Sequence, residues 1–125
     1  MPSNNIEIGE TGERIASSYI RRSGYRIIVK NFKTRIGEID IIACKQRTLI
    51  FIEVKCRRSK RFGAPFESVT REKTKKIRKI AQQYISLNQQ ELKNYKELKC
   101  RFDVISIMLG ADDKVCELIH MEDAF

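Results

Sequence analysis

GEIDIIACKQRTLIFIEVK, from Gly37 to Lys55, reads as two short strands joined by a tight turn. The first, Glu38 to Cys44, brings a pair of carboxylates and then runs apolar. The second, Leu49 to Lys55, is apolar and rich in β-formers until it delivers Glu53 and Lys55. Strand side chains alternate between faces, so Glu53 and Lys55 point one way and Val54 the other. By the same rule Glu38 and Asp40 share a face, and Ile39 and Ile41 take the opposite one. With the turn centred on Gln46-Arg47, the antiparallel register sets Asp40 across from Glu53, their Cβ atoms about 5 Å apart. Two carboxylates that close repel, and one is driven toward protonation unless a cation lies between them. A hard divalent ion suits such an all-oxygen pair, because Mg2+ binds through one or two carboxylates and keeps several waters. Lys55 then supplies a cation beside the attacking water or the phosphate. A plainer reading stands beside this one, since acids and lysines alternating on a strand face are ordinary salt-bridge decoration. The acid a hairpin away, on a strand otherwise rich in isoleucine, is what lifts the pattern above decoration.

GEIDIIA (37–43) and FIEVKCR (51–57) resemble the PD-(D/E)XK nuclease signature, with Asp40 as first acid, Glu53 as second and Lys55 as the lysine. More narrowly, the chain resembles the YraN family of bacterial proteins, which share the restriction-endonuclease-like fold. The likeness runs nearly end to end, through Gly12-Glu13 with Ala16, Tyr19-Ile20, Gly24-Tyr25 and Asn31 before the hairpin. After it come Gly63-Ala64-Pro65, Arg101-Phe102-Asp103-Val104 and the closing Ala124-Phe125. One departure is Lys33, where the family often carries arginine, and it leaves the acidic set untouched. The resemblance implies an α-β-β-β-α-β core and Mg2+ or Mn2+ held by Asp40 and Glu53. Through similarity to archaeal Holliday-junction resolvases, it also implies that a glutamate of the first helix, Glu13 here, joins Asp40, Glu53 and Lys55 in the catalytic set.

The 125 residues suit one domain, 1–125, large enough to bury a core without disulfides or metals as staples. A formal charge of +9 implies an anionic partner, and nucleic acid is the usual one. An anionic membrane surface fits less well, because the basic stretches lack the bulky apolar face of an interfacial helix. No apolar run approaches the roughly 20 residues that cross a bilayer. MPSNNIEIGE has neither a basic nor an apolar leader region, which predicts no secretory signal and a cytoplasmic address. Cys44, Cys56, Cys100 and Cys116 are scattered, which argues against zinc and disulfides and for small buried hydrophobes. His120 is the only histidine, so nucleophile–histidine schemes would all rest on it, and a structural role is the simpler reading.

Residues 9 to 23 have the pattern of an amphipathic helix, with Ile15, Ala16, Tyr19 and Ile20 as its stripe, Thr11 as cap and Gly24 as stop. Glu13 borders that stripe and needs a partner, either a rim salt bridge to Arg14 or Arg21 or a place at the acidic site. Tyr25 to Lys30 reads as an edge strand and Asn31 to Gly37 as a loop. Arg57 to Phe66 is a basic loop broken by Gly63 and Pro65, and Arg57, Arg58, Lys60 and Arg61 are placed to meet a phosphate backbone. A helix from Ser68 to Leu87 buries Val69, Ile77, Ile80, Ala81, Tyr84 and Ile85. Its basic first half adds Lys73 and Lys76 as nucleic-acid contacts, and Gln82 or Gln83 could reach the acids. Asn88 to Lys99 is a linker or an added helical turn, and strands follow at Arg101–Leu109 and Val115–Met121. The whole is an α/β chain of order α-β-β-β-α-β-β, a mixed central sheet flanked by helices.

The functional expectation is a metal-dependent nuclease on structured DNA such as a junction, flap or nick, in repair or recombination. The alternative is a nuclease-like module that binds nucleic acid without cutting it. A third reading is a structural protein whose acids pair with lysines. Homodimerisation is left open.

Overall fold

The computed structural model describes residues 5–58, 70–93 and 99–125. Its elements are α1 (Asn5–Arg22), β1 (Arg26–Thr34), β2 (Gly37–Lys45), β3 (Thr48–Arg57), α2 (Arg71–Leu87), α3 (Gln89–Leu92), β4 (Lys99–Leu109) and β5 (Val115–Met121). The order is the expected one, with α3 as an added helical turn in the polar stretch before β4. The strands form one sheet in sequence order, β1-β2-β3-β4-β5. β3 and β4 run parallel, and every other neighbouring pair is antiparallel. Parallel neighbours need a crossover connection, and α2 lies in it. The fold is therefore α/β, a five-stranded mixed sheet flanked by helices, compatible with a restriction-endonuclease-like architecture.

Alternation along the hairpin feeds two cores. Ile41, Ala43, Ile50 and Ile52 pack with Ala16 and Ile20 of α1, while Ile42, Leu49 and Phe51 pack with Ile77, Ile80, Ala81 and Tyr84 of α2. Ile39 is the exception, lying in the α2-side core rather than on the face of Ile41. Glycine brings α1 close to the sheet: a Cβ at Gly12 would stand 2.5 Å from the Cβ of Cys56. Direct contact of α1 with β3 at this point delivers the next residue, Glu13, to the sheet end.

Local chemistry sets the boundaries. Gly24 adopts φ 91 and ends α1, where the Tyr25 N–H reaches back to the Ile20 carbonyl at 2.9 Å. α1 begins at Asn5 rather than residue 9, helped by Glu7 in its first turn, so Thr11 lies inside the helix and caps nothing. β1 runs on to Thr34, because Phe32, Lys33 and Thr34 find ladder partners in Ile39, Glu38 and Gly37. Most of the expected 31–37 loop is therefore strand. The cap of α2 is Thr70, whose Oγ1 accepts from the Lys73 N–H at 3.1 Å. Ser68 and Val69, expected in this helix, lie outside the described residues.

The cysteines are all free, yet none is fully buried, and Cys100 and Cys116 are exposed. Cys44 is held at the end of β2, Cys100 at the start of β4 and Cys116 on the edge strand β5, so strand ends expose groups that composition placed inside. Among the described residues no helix is long and apolar enough to cross a membrane.

Candidate functional site

β2 and β3 meet with Ile41 opposite Ile52, Ile42 opposite Phe51 and Cys44 opposite Leu49. One step further along this register, Asp40 comes opposite Glu53. The Val54 N–H donates to Asp40 Oδ2 at 2.8 Å, tying the strands together where regular pairing ends. Asp40 is pushed up to about 7, chiefly by burial and then by the charge of Glu53. Glu13 and Glu38 add to the rise, and the Val54 N–H opposes it. Three acids from α1, β2 and β3 thus act on Asp40 at a single sheet end.

Cations answer this charge from one side. Glu53 is buried, and its Oε1 receives Lys73 Nζ at 2.7 Å and Lys55 Nζ at 3.3 Å. Lys55 follows from the strand alternation that put it on the face of Glu53. Burial holds it below the ordinary lysine range, with Lys73 adding to the effect and Glu53 opposing it. Burial, the largest single influence, would lower Lys73 as well, but its bond to Glu53, its contact with Lys55 and the charges of Glu53 and Asp40 together raise it.

Asp40 borders two clefts. The one toward α2, about 240 Å³, is lined by Glu38, Asp40, Glu53, Lys73 and Lys76 among others. The other, toward α1, about 520 Å³, is lined by Glu10, Glu13, Asn31, Lys33, Glu38 and Asp40. Among the described residues, Glu13 pairs with neither Arg14 nor Arg21 and instead faces the acids.

The structure therefore brings Asp40, Glu53, Lys55 and Glu13 together. Lys76 stands at the rim, and Arg57 ends the strand that carries Glu53. Arg58, read as a phosphate contact, donates to Asp113 Oδ1, from Nη2 at 2.7 Å and from Nε at 3.0 Å. Lys60 and Arg61 lie outside the described residues. Gln82 and Gln83 are exposed and line a separate groove with Ile36 and Leu87, away from the acids.

Lys73 holds a different place from the one its sequence suggested. Counted with the exposed basic face, it instead lies four residues before Ile77 and seven before Ile80, at the head of the buried stripe of α2. That spacing was the signal that it points at the sheet. Glu10 was also missed; it lies three residues before Glu13 and therefore on the same side of α1.

The donor set bears on a metal. Among the described residues no three acidic, histidine or cysteine side chains are grouped to hold one ion. Two carboxylates completed by water is still an arrangement Mg2+ or Mn2+ accepts. An acid raised to about 7 by burial and then by neighbouring acids is one a divalent cation would ionise. The residues fit such an ion.

The fold and cluster define an α/β protein with a carboxylate–lysine site at one end of a mixed sheet. Residues 12–107 match the model of the family described as "Uncharacterised protein family UPF0102". A UPF0102 protein of Caldanaerobacter subterraneus subsp. tengcongensis is 42% identical over 123 residues, covering 98% of this chain and 97% of its own length. One from Dictyoglomus thermophilum is 43% identical over 122 residues, with 98% and 99% covered. One from Chlorobium limicola is 47% identical over 122 residues, with 94% and 91% covered. The chain belongs to the UPF0102 family, to which the YraN resemblance points.

Proposed function

We propose that this protein is a divalent-metal-dependent nuclease that hydrolyses phosphodiesters in structured DNA, a junction, flap or nick, in repair or recombination in the cytoplasm. The observation that carries the reading is Asp40, a half-buried acid set against Glu53, Glu13 and Glu38 and raised to about 7 beside the two lysines that pair with Glu53. An acid cluster of this kind is costly to the fold and gains its value when a cation and an anion enter together. Asp40 and Glu53 would hold Mg2+ or Mn2+, which when bound lowers the pKa of a water ligand and offsets phosphate charge.

The remaining work falls to the chain's own groups. Lys55, mostly buried on the face of Glu53, donates to a non-bridging phosphate oxygen as charge builds on it. Glu13 and Glu38 border Asp40 and orient water through their carboxylates. Lys76 at the cleft rim, with Arg57 at the end of β3, meets the sugar–phosphate backbone. Backbone contacts of this kind read shape rather than base sequence.

One observation favours the non-catalytic alternative. Lys55 and Lys73 already neutralise Glu53, as in a self-contained salt-bridge cluster. The two readings separate in a cleavage assay on labelled four-way junction, flap and nicked duplex DNA with Mg2+ or Mn2+. A nuclease cuts at least one of these, and Lys55→Ala lowers the rate by about 10²-fold, the usual size of losing one electrostatic stabiliser. Absence of cleavage by purified wild type on every substrate would decide for the binding module.

A further inference from the structure

Lys73 and Lys55 reach the same oxygen of Glu53, but from different foundations. Lys55 stands two residues along the same strand, and its side chain is 19% exposed. Lys73 comes from the first turn of α2, reaches across the cleft and is 35% exposed. Its backbone is fixed by the Thr70 cap, while its four-carbon stem is free to swing. Glu53 is locked into β3 and cannot follow it.

We propose that Lys73 is a displaceable counterion: it closes the acidic site in the empty protein and turns to the substrate phosphate when a divalent cation takes its place. This inference rests on the metal-dependent reading above. A divalent cation on Glu53 and an ammonium 2.7 Å from the same carboxylate oxygen repel each other, so the two exclude one another there. Of the two lysines, Lys73 is the one with an exit, because it stands at the mouth beside Lys76. Asp40 and the three acids that act on it face Lys55 and Lys73, and a doubly charged cation on Asp40 and Glu53 takes over the charge that holds Lys73 in place. Lys73, released from Glu53, then lies with Lys76 on the wall that a phosphodiester must pass. Cation and phosphate binding become coupled through one side chain, which makes Lys73 a positioning residue with opposite effects on the two ligands.

The test uses Mn2+ alone and then DNA. In calorimetric titration without DNA, Lys73→Ala is expected to bind Mn2+ about fivefold more tightly than wild type, the size of a lost partly exposed ion pair. Lys73→Arg, which keeps the charge, should stay near wild type. By fluorescence anisotropy, the gain in affinity for a labelled junction on adding Mn2+ should shrink in Lys73→Ala and persist in Lys79→Ala, a control on the same helix. Wild type that binds Mn2+, with Lys73→Ala unchanged or weaker, overturns the inference and leaves the metal reading standing. Wild type that binds no Mn2+ overturns both.

Discussion

Two aspartates on the strands flanking β3 are both largely out of solvent and meet opposite fates. Asp103 on β4 is surrounded by donors: Arg101 Nε at 2.8 Å and Nη2 at 2.9 Å, the Asp123 N–H at 3.0 Å and His120 Nε2 at 2.7 Å. His120 in turn meets the Tyr19 hydroxyl through Nδ1 at 3.0 Å, so the one histidine is built into this network. Burial would raise Asp103, but His120, Arg101 and the Asp123 N–H together hold it below the usual carboxylate range. Asp40 on β2 has one donor among the described residues, the Val54 N–H, and three acids for neighbours. A buried acid supplied from all sides knits strands and helix together. One left short of donors beside other acids costs stability and is open to a ligand.

The contrast breaks most visibly at Asp103. Asp103→Ala strands Arg101 and His120 beside the core, and urea unfolding should show a loss of about 3–5 kcal/mol, as when one partner of a buried pair is removed. A loss below about 1 kcal/mol, the worth of a surface pair, would put the two aspartates in the same class.

Asp40 should behave in the opposite sense. Its pKa is raised on folding, so the folded protein binds the extra proton between the unfolded carboxylate range and about 7. Stability from this group is therefore present in acid and lost as pH climbs toward 7 and above. Asp40→Asn, which cannot ionise, should stabilise the metal-free protein by at most about 4 kcal/mol at pH 8 and by at most about 1.5 kcal/mol at pH 5. Asp103 has the reverse sign, its contribution holding above the carboxylate range and failing only in strong acid. Thermal melts of Asp40→Asn that run parallel to wild type across this range would erase the distinction.

The smallest effect sharpens how the acidic end is assembled. Gly12→Ala forces a methyl against Cys56 and should cost about 1–3 kcal/mol as an overpacked contact, by differential scanning calorimetry. Gly9→Ala, where an added Cβ meets nothing within 4 Å, should be neutral or slightly stabilising. Equal effects at the two glycines would mean that α1 does not need its close seat on β3.

The acidic hairpin was readable because its information is local: period-two alternation and a short turn place Asp40, Glu53 and Lys55 without reference to the rest of the chain. Element order was readable for the same reason. Lys73 was not placed at the acids, because its role depends on how α2 crosses the sheet, and charge pulled the reading toward solvent while its spacing from Ile77 and Ile80 pointed inward. Arg58 looked like part of a basic stripe, yet its partner Asp113 is 55 residues away and meets it only in three dimensions. The network of Asp103 is likewise long-range, drawing on α1, β4, β5 and the turn after β5. No periodicity announces such a cluster. Helix starts and strand ends shifted because caps and ladder partners, Thr70 and the Phe32–Ile39 pair among them, outweigh single-residue propensity.

On the proposed reading Asp40, unlike Asp103, is kept short of partners for a divalent cation. Calorimetric titration of Mn2+ into wild type and Asp40→Asn, at pH 6 and pH 8.5 in buffers of different ionisation heat, tests it most directly. Wild type should bind at both pH values, releasing about one proton at pH 6 and almost none at pH 8.5, and Asp40→Asn should not bind. Wild type that takes up no Mn2+, or Asp40→Asn that binds as well as wild type, would contradict it.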